Sequence, residues 1–216
     1  MDTERVAATW RVPSRHIPIV RVTPLLAAML TLVTAGCKPT IDDTYAALPP
    51  LGSTIPNFSY TTLDGATLSP DVLRGQPAVV ALWASTCSAS RLALTSMGAL
   101  NADYASRGAR VVVLADDRDR SAVAPLLASA DIQAPVALAA GSLMDTFTHG
   151  QSVLPWRKTF AKPTFLVLDS AGRVVYRQIG IEQDASKRLG RVRAQLDSLL
   201  GKPPRASVRA RGLTSR

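Results

Sequence analysis

The chain has 216 residues, 47% of them hydrophobic, and a formal net charge of +9 at pH 7. This length and apolar content suit one well-buried domain with tails and are short for two domains. The charge is concentrated at the ends, since residues 201–216 contribute +5 and residues 1–36 contribute +2, which leaves +2 for residues 37–200. Because no aromatic residue is interleaved with the basic residues of 201–216, we expect a disordered tail and no nucleic-acid partner.

The N-terminus is typical of an export signal. Arginines are scattered over the first 21 residues, and an uncharged, mostly apolar run follows over residues 24–35. This run is too short for a transmembrane anchor, which takes about 20 residues. It leads into Thr34-Ala35-Gly36-Cys37, which resembles the lipobox of bacterial lipoproteins. The resemblance implies that residues 1–36 are removed and that Cys37 is acylated, giving a lipid-anchored, periplasm-facing protein of the cell envelope. An ordinary cleaved signal that leaves Cys37 as a free thiol is the alternative.

Proline-rich residues 37–55 are interpreted as a tether, and the folded domain is expected over residues 56–200. Asp64-Gly65, between residues 58–62 and 66–68, predicts a β-hairpin. Ser69-Pro70 predicts a short helix capped by the serine, and residues 78–83 predict a buried strand.

A long helix is predicted after this strand, because apolar side chains recur there at helical spacing. They are Ala93, Met97, Leu100 and Tyr104. Further elements are predicted in order: a strand over 110–115, a helix over 119–130, a strand over 135–138, a helical turn over 142–148, a loop over 149–162, a hairpin of 164–168 with 173–177, and a helix over 183–200 with Leu189, Val192, Leu196 and Leu199 on one stripe. This alternation predicts an α/β sandwich with a mixed central sheet flanked by helices.

The segment between the first buried strand and the long helix carries the candidate chemistry. Trp83-Ala84-Ser85-Thr86-Cys87 ends the strand in a turn and places Cys87 at the start of the helix. Unpaired N–H groups and the helix dipole favour a thiolate at that position, and Arg91 on the same helix face is expected to add positive charge. Cys37 and Cys87 are the only cysteines, so acylation of Cys37 leaves one thiol and no intramolecular disulfide.

Three segments together resemble the thioredoxin-like fold, specifically the membrane-tethered TlpA/ResA-type redoxin family. They are residues 62–75, the turn from Trp83 to Cys87, and residues 161–174, which include Lys162-Pro163-Thr164. The resemblance covers about residues 56–200 and implies a thioredoxin-like sandwich with an N-terminal β-hairpin. It also implies a cis bond before Pro163, which turns the preceding backbone toward the cysteine, where it can pair with an incoming peptide.

The site departs from the family pattern at three positions. Ser90 stands where the second cysteine of a Cys-x-x-Cys motif belongs, Thr86 replaces a frequent tryptophan, and Ala89 replaces the usual proline. Because a serine hydroxyl is not a nucleophile toward sulfur at neutral pH, the dithiol cycle is not expected. The candidate catalytic residues are Cys87, Ser90 and Pro163, with Trp83, Thr86, Arg91 and Lys162 as supporting residues.

The leading hypothesis is a monomeric protein, with no cofactor, in which Cys87 forms mixed disulfides with protein or small-molecule thiols and an external thiol resolves them. Its nearest alternative is a catalytically degenerate binding scaffold. A one-cysteine peroxidase is disfavoured because Ala84 and Val80 stand where related peroxidases have Thr and Pro. Copper binding by Cys87 and His149 is disfavoured because Arg91 stands where SCO-type relatives have their second cysteine. Asp116 and Asp117 end a strand near the family's active-site edge, where a solvated turn explains them equally well.

Overall fold

Two β-sheets and four α-helices make up the part of the chain that this computed structural model describes, residues 47–148 and 161–201. In chain order the elements are β1 (Tyr60–Thr61), β2 (Thr67–Leu68), a 3-10 helix (Pro70–Leu73), β3 (Ala78–Trp83), α1 (Ser88–Ala105), β4 (Arg110–Ala115), α2 (Arg120–Ser129), β5 (Val136–Leu138), α3 (Leu143–Thr148), β6 (Thr164–Leu168), β7 (Val174–Ile179) and α4 (Gly190–Leu200). The predicted α/β fold with a mixed sheet is confirmed.

The larger sheet has the strand order β5-β4-β3-β6-β7, and β1 and β2 form a separate antiparallel pair, the predicted hairpin. The central strand β3 runs parallel to β4 and antiparallel to β6. Trp83 at the end of β3 is in register with Ala115 at the end of β4, and Leu82 is in register with Thr164 at the start of β6. The end of β3, the end of β4 and the start of β6 therefore meet at one edge of the sheet.

The sheet separates two apolar cores, which explains why β3 is apolar throughout and buried at every position. On one side, Val79, Ala81 and Trp83 of β3 pack with side chains of α1, α2 and α4. On the other side, the remaining β3 side chains pack with the hairpin, the 3-10 helix and α3. The predicted α1 stripe is confirmed, since all four of its side chains are buried.

The last helix is shorter than predicted, because α4 begins at Gly190 rather than at residue 183. The Asp184 carboxylate accepts hydrogen bonds from the backbone N–H and the hydroxyl of Ser186, at 3.0 and 2.7 Å. The residue just before the helix, Leu189, has a left-handed backbone with φ 57° and ψ 16°, which does not continue into a right-handed helix. Leu189 is buried although it precedes the helix, whereas Leu199, predicted on the apolar stripe, is exposed.

Described residues before Pro56 also contact the folded domain. Leu48 and Ile55 are buried, and Thr54 forms a β-bridge with Arg173. The N–H of Gly52 donates to the carbonyl oxygen of Val174 at 2.8 Å, so residues 52–54 lie beside the start of β7. At residue 69, the predicted serine cap makes no side-chain bond, and the following turn is a 3-10 helix.

The predictions for the export signal, for Cys37, for His149 and for the basic tail after Gly201 lie outside the described residues. Of the helices that the structure describes, none has both the length and the apolar character needed to span a bilayer.

Candidate functional site

Cys87 lies between the end of β3 and the first residue of α1, at the N-cap position, with extended backbone angles of φ −94° and ψ 121°. Its N–H donates to the carbonyl oxygen of Ala84 at 3.2 Å, which closes the turn that leads into the helix. The side chain is partly exposed and forms no disulfide. A thiol is therefore held at the start of a helix, where the unpaired N–H groups of the first turn are concentrated.

The segment before β6 faces this thiol. The Sγ of Cys87 donates to the carbonyl oxygen of Lys162 at 3.3 Å, across 75 positions of the chain. The peptide bond between Lys162 and Pro163 is cis, as predicted. Pro163 is buried, and its carbonyl oxygen accepts from the N–H of Gly180 at 2.8 Å, which ties the segment to the end of β7. The tertiary structure thus brings Cys87, Lys162 and Pro163 together.

Ser90, which stands at the position of a resolving cysteine, is completely buried. Its hydroxyl oxygen accepts from the N–H of Ala84 at 3.4 Å, and its carbonyl oxygen accepts from the indole N–H of Trp83 at 2.7 Å. Trp83 is also fully buried, whereas Thr86 is exposed. Ser90 and Trp83 therefore join the end of β3 to the first turn of α1 and present no group to solvent.

The turn before Cys87 is held by two charged side chains that both bind Ser85. The Asp117 carboxylate accepts from the N–H of Ser85 at 2.9 Å and from its hydroxyl at 2.5 Å. The Arg91 guanidinium donates to the carbonyl oxygen of Ser85 at 2.7 Å. Arg91, which the sequence predicts to add positive charge beside the thiol, thus binds the turn two residues before Cys87.

Asp116 and Asp117, the two residues after β4, bind opposite sides of the site. Asp116 forms an ion pair with the Lys162 ammonium at 2.7 Å, with the two side chains 25% and 11% exposed. The N–H of Asp116 also donates to the carbonyl oxygen of Trp83 at 2.8 Å. Two interpretations of these residues were open, a place at the active-site edge and a solvated turn. Asp117 is buried, Asp116 is 25% exposed, and both bind segments beside Cys87, so their contacts agree with the first interpretation.

The described ranges contain no group of three His, Cys, Asp or Glu side chains placed to hold a metal ion. His149, the second residue of the copper hypothesis, lies outside those ranges. The arrangement that is present consists of a single thiol, a backbone carbonyl beside it, and charged side chains that bind the surrounding turns.

Comparison with known proteins places the fold in a family. The family model named Redoxin matches residues 50–193, which is more than half of the chain. No protein of curated function matches the sequence. Among solved structures, a thiol:disulfide interchange protein of the thioredoxin family from Chlorobium tepidum TLS is 24% identical, with 71% of this chain and 99% of that chain covered and a TM-score of 0.58.

Two further structures show the same fold. A thiol:disulfide interchange protein from Bacteroides sp. is 14% identical, with 77% of this chain and 99% of that chain covered and a TM-score of 0.57. The thioredoxin domain of a thiol-disulfide oxidoreductase from Bacteroides vulgatus is 17% identical, with 68% and 99% covered and a TM-score of 0.54. The chain therefore belongs to the Redoxin family and has the thioredoxin-like fold of these thiol–disulfide proteins.

Proposed function

We propose that this protein carries out thiol–disulfide exchange through Cys87 alone, with an external thiol as the resolving group. The observation that carries the proposal is the position of the Cys87 sulfur, partly exposed at the N-terminus of α1 and 3.3 Å from the Lys162 carbonyl oxygen. A partly exposed sulfur at the start of a helix can be reached by a disulfide, and the thiolate is the form of cysteine that attacks it. The solved proteins with the same fold that are named thiol:disulfide interchange proteins support this class of reaction.

The exchange balances with one cysteine. The Cys87 thiolate attacks a disulfide R–S–S–R′, which forms a mixed disulfide between Cys87 and R and releases R′ as a thiolate that takes up a proton. A second thiol, R″–SH, loses its proton and attacks the sulfur of R, which forms R–S–S–R″ and regenerates the Cys87 thiolate. The net change is the replacement of R′ by R″ in the disulfide, with no other oxidant or reductant.

The backbone beside the thiol supports a protein or peptide as the disulfide substrate. An extended peptide can bind exposed main-chain groups by adding to a sheet or loop edge. The carbonyl oxygen of Lys162 faces the sulfur directly, so a peptide that paired with this residue would lie across Cys87. Ser90 takes no part in the chemistry, because its hydroxyl is buried and bound to the backbone.

The test uses the full chain with glutathione disulfide as the probe and follows the tryptic peptide that contains Cys87 by mass spectrometry. We expect a glutathione adduct on Cys87 that added glutathione removes, and alkylation of native Cys87 at pH 7 at least as fast as in urea. Cys87→Ser is the control for adducts at other positions. A native Cys87 that forms no adduct and is alkylated only after unfolding would contradict the proposal.

A binding scaffold with a relic cysteine is the second candidate function. It is favoured by the serine at position 90, whose hydroxyl is bound to the backbone N–H of Ala84 and cannot resolve a mixed disulfide. In that case Cys87→Ser would leave the binding of a partner unchanged, whereas covalent capture of a partner requires the cysteine.

We also propose that Cys37 carries lipid that anchors the domain to a membrane, facing the periplasm. The support is the Thr34-Ala35-Gly36-Cys37 motif after an apolar run. Fractionation of cells that express the wild-type chain should recover it with membranes, and Cys37→Ser should move it to the soluble fraction. Recovery of both proteins in the soluble fraction would contradict the anchor.

A further inference from the structure

We infer that Asp117 is a positioning residue for the exchange reaction, acting through Ser85 on the turn that holds Cys87. The inference deepens the proposed function and rests on it for its effect on rate. The Asp117 carboxylate accepts a hydrogen bond from the backbone N–H of Ser85, two residues before the cysteine.

The contact between Asp117 and Ser85 joins two strand ends rather than neighbours in sequence. The two residues are 32 positions apart, and each is less than 10% exposed. Both carboxylate oxygens are used, one for the N–H and one for the hydroxyl of Ser85. Removal of the carboxylate would leave these two donors without their partner in a buried setting, which is costly enough to displace the turn.

All three polar groups of Ser85 bind charged side chains, and this accounts for how the turn is held. Its N–H and hydroxyl bind the anionic Asp117, and its carbonyl oxygen binds the cationic Arg91. Within the turn itself, the Cys87 N–H donates to the Ala84 carbonyl oxygen. The geometry of the turn therefore depends also on side chains that reach it from the segment after β4 and from α1.

The position of this turn matters for chemistry because disulfide exchange requires the attacking sulfur to approach the target bond in a defined direction. A displacement of about 1 Å in a reacting group can lower a rate by about 100-fold. Here the sulfur must also stay beside the Lys162 carbonyl oxygen if a peptide is to pair there. A looser turn lowers the fraction of time in which both conditions hold.

The chain contains a matched control for this contact. Asp184 accepts from the N–H and hydroxyl of Ser186 in the same way, at 3.0 and 2.7 Å. That pair is exposed and local, two positions apart, in the segment before α4. Asp184→Ala removes an aspartate–serine pair of the same chemistry from a segment other than the turn before Cys87.

The experiment measures the second-order rate at which the full-length protein forms the Cys87 mixed disulfide with glutathione disulfide. We expect Asp117→Ala to lower this rate by about 10-fold or more and Ser85→Ala to lower it by less. Asp117→Asn should stay within about 3-fold of wild type, because its amide oxygen can accept the Ser85 N–H and its amide N–H can donate to the Ser85 hydroxyl. The double variant Ser85→Ala with Asp117→Ala should be no slower than Asp117→Ala, since the two substitutions remove the same contact between these side chains. Asp184→Ala should match the wild-type rate.

A second readout does not depend on the reaction. Hydrogen exchange of the Ser85 and Cys87 backbone amides should speed up in Asp117→Ala and remain at the wild-type rate in Asp184→Ala. The inference would be overturned by a folded Asp117→Ala protein that forms the mixed disulfide at the wild-type rate and whose Ser85 and Cys87 amides exchange hydrogen at the wild-type rate. A rate loss in Asp117→Asn as large as that in Asp117→Ala would also overturn it.

The two proposals fail in different ways. If wild type forms no mixed disulfide, the proposed function is wrong, and the amide exchange of Ser85 and Cys87 still decides whether Asp117 holds the turn. If Asp117→Ala does not fold, Ser85→Ala takes its place, and an unchanged disulfide rate together with unchanged Cys87 amide exchange in that variant would overturn the inference.

Discussion

The indole N–H of Trp83 donates to the carbonyl oxygen of Ser90 at 2.7 Å, which joins the last residue of β3 to the first turn of α1. Both residues are fully buried. A second hydrogen bond, from the Ala84 N–H to the Ser90 hydroxyl oxygen, joins the same two segments. The backbone at position 90 is therefore held where a resolving cysteine would need to be, although the side chain there is a serine.

Ser90→Cys is expected to create a disulfide with Cys87 and a dithiol reductase activity. Residues three apart on a helix have Cβ atoms about 5–6 Å apart, a separation that a small adjustment of the first turn brings into disulfide range. Under oxidising conditions both thiols should become resistant to alkylation, and the reduced variant should reduce a protein disulfide such as that of insulin. Ser88→Cys is the control, since it lies next to Cys87 at a spacing unlike that of Cys-x-x-Cys. Two free thiols in oxidised Ser90→Cys would contradict this prediction.

Asp116→Asn is expected to lower the free energy of unfolding by about 1–3 kcal/mol, because it removes the carboxylate charge 2.7 Å from the largely buried Lys162 ammonium. Urea unfolding followed by circular dichroism measures the change. The control is Asp71→Asn, which removes an ion pair with Arg74 whose side chains are 79% and 52% exposed. We expect no measurable change for this exposed pair. Equal stability of the two variants would show that the Lys162 pair contributes nothing.

Gly98→Ala is expected to destabilise the protein by about 1–3 kcal/mol, since overpacking displaces backbone. A Cβ at Gly98, in α1, would lie 2.8 Å from the carbonyl oxygen of Ala130 at the end of α2. Gly190, also helical, has nothing within 4 Å of a Cβ, so Gly190→Ala should be neutral or slightly stabilising. Thermal unfolding of both variants measures the difference. A Gly98→Ala protein as stable as Gly190→Ala would mean that α1 and α2 separate without cost.

Asp197 is expected to contribute to the loss of stability in acid. Burial raises the pKa of Asp197, but hydrogen bonds from Arg107 and Tyr104 and the charges of Arg107 and Arg193 outweigh it, so the pKa lies below its ordinary value of 3.8. A carboxyl with a lowered pKa in the folded state contributes its full stabilisation above its unfolded pKa, near pH 4, and loses it as the pH falls through the folded value.

Urea midpoints measured from pH 6 down to pH 2 test this. Asp197→Asn should be less stable than wild type at pH 6 and should show a shallower decline below pH 4. Tyr104→Phe, which removes one of the two hydrogen bonds to the carboxylate, should show an intermediate decline. Identical acid declines in wild type and Asp197→Asn would contradict the assignment.

Local patterns in the sequence were enough to predict most of the secondary structure and the position of the thiol. The bounds of β3 and β4 follow from continuous apolar runs, and the α1 stripe follows from helical spacing. The placement of Cys87 between a strand and a helix, and the cis bond before Pro163, came from short motifs with a known family pattern. These features depend on residues close together in the chain, where periodicity and turn chemistry decide the conformation.

The late start of α4 shows where local patterns were insufficient. The apolar stripe extends through Leu189, yet Leu189 has a left-handed backbone with φ 57°, which keeps it outside the right-handed helix. Leu189 is also completely buried, and hydrophobic spacing alone does not distinguish a buried residue inside a helix from one just before it.

The contacts of Asp116 and Asp117 were decided by tertiary structure alone. The parallel pairing of β3 and β4 brings the end of β4 beside the turn before Cys87, and the antiparallel pairing of β6 brings Lys162 to the same edge. Whether a charged side chain at a strand end is solvated or buried against a turn depends on which strands are neighbours. Propensity and hydrophobic period carry no information about hydrogen bonds between residues 32 positions apart, whereas the sheet order determines them.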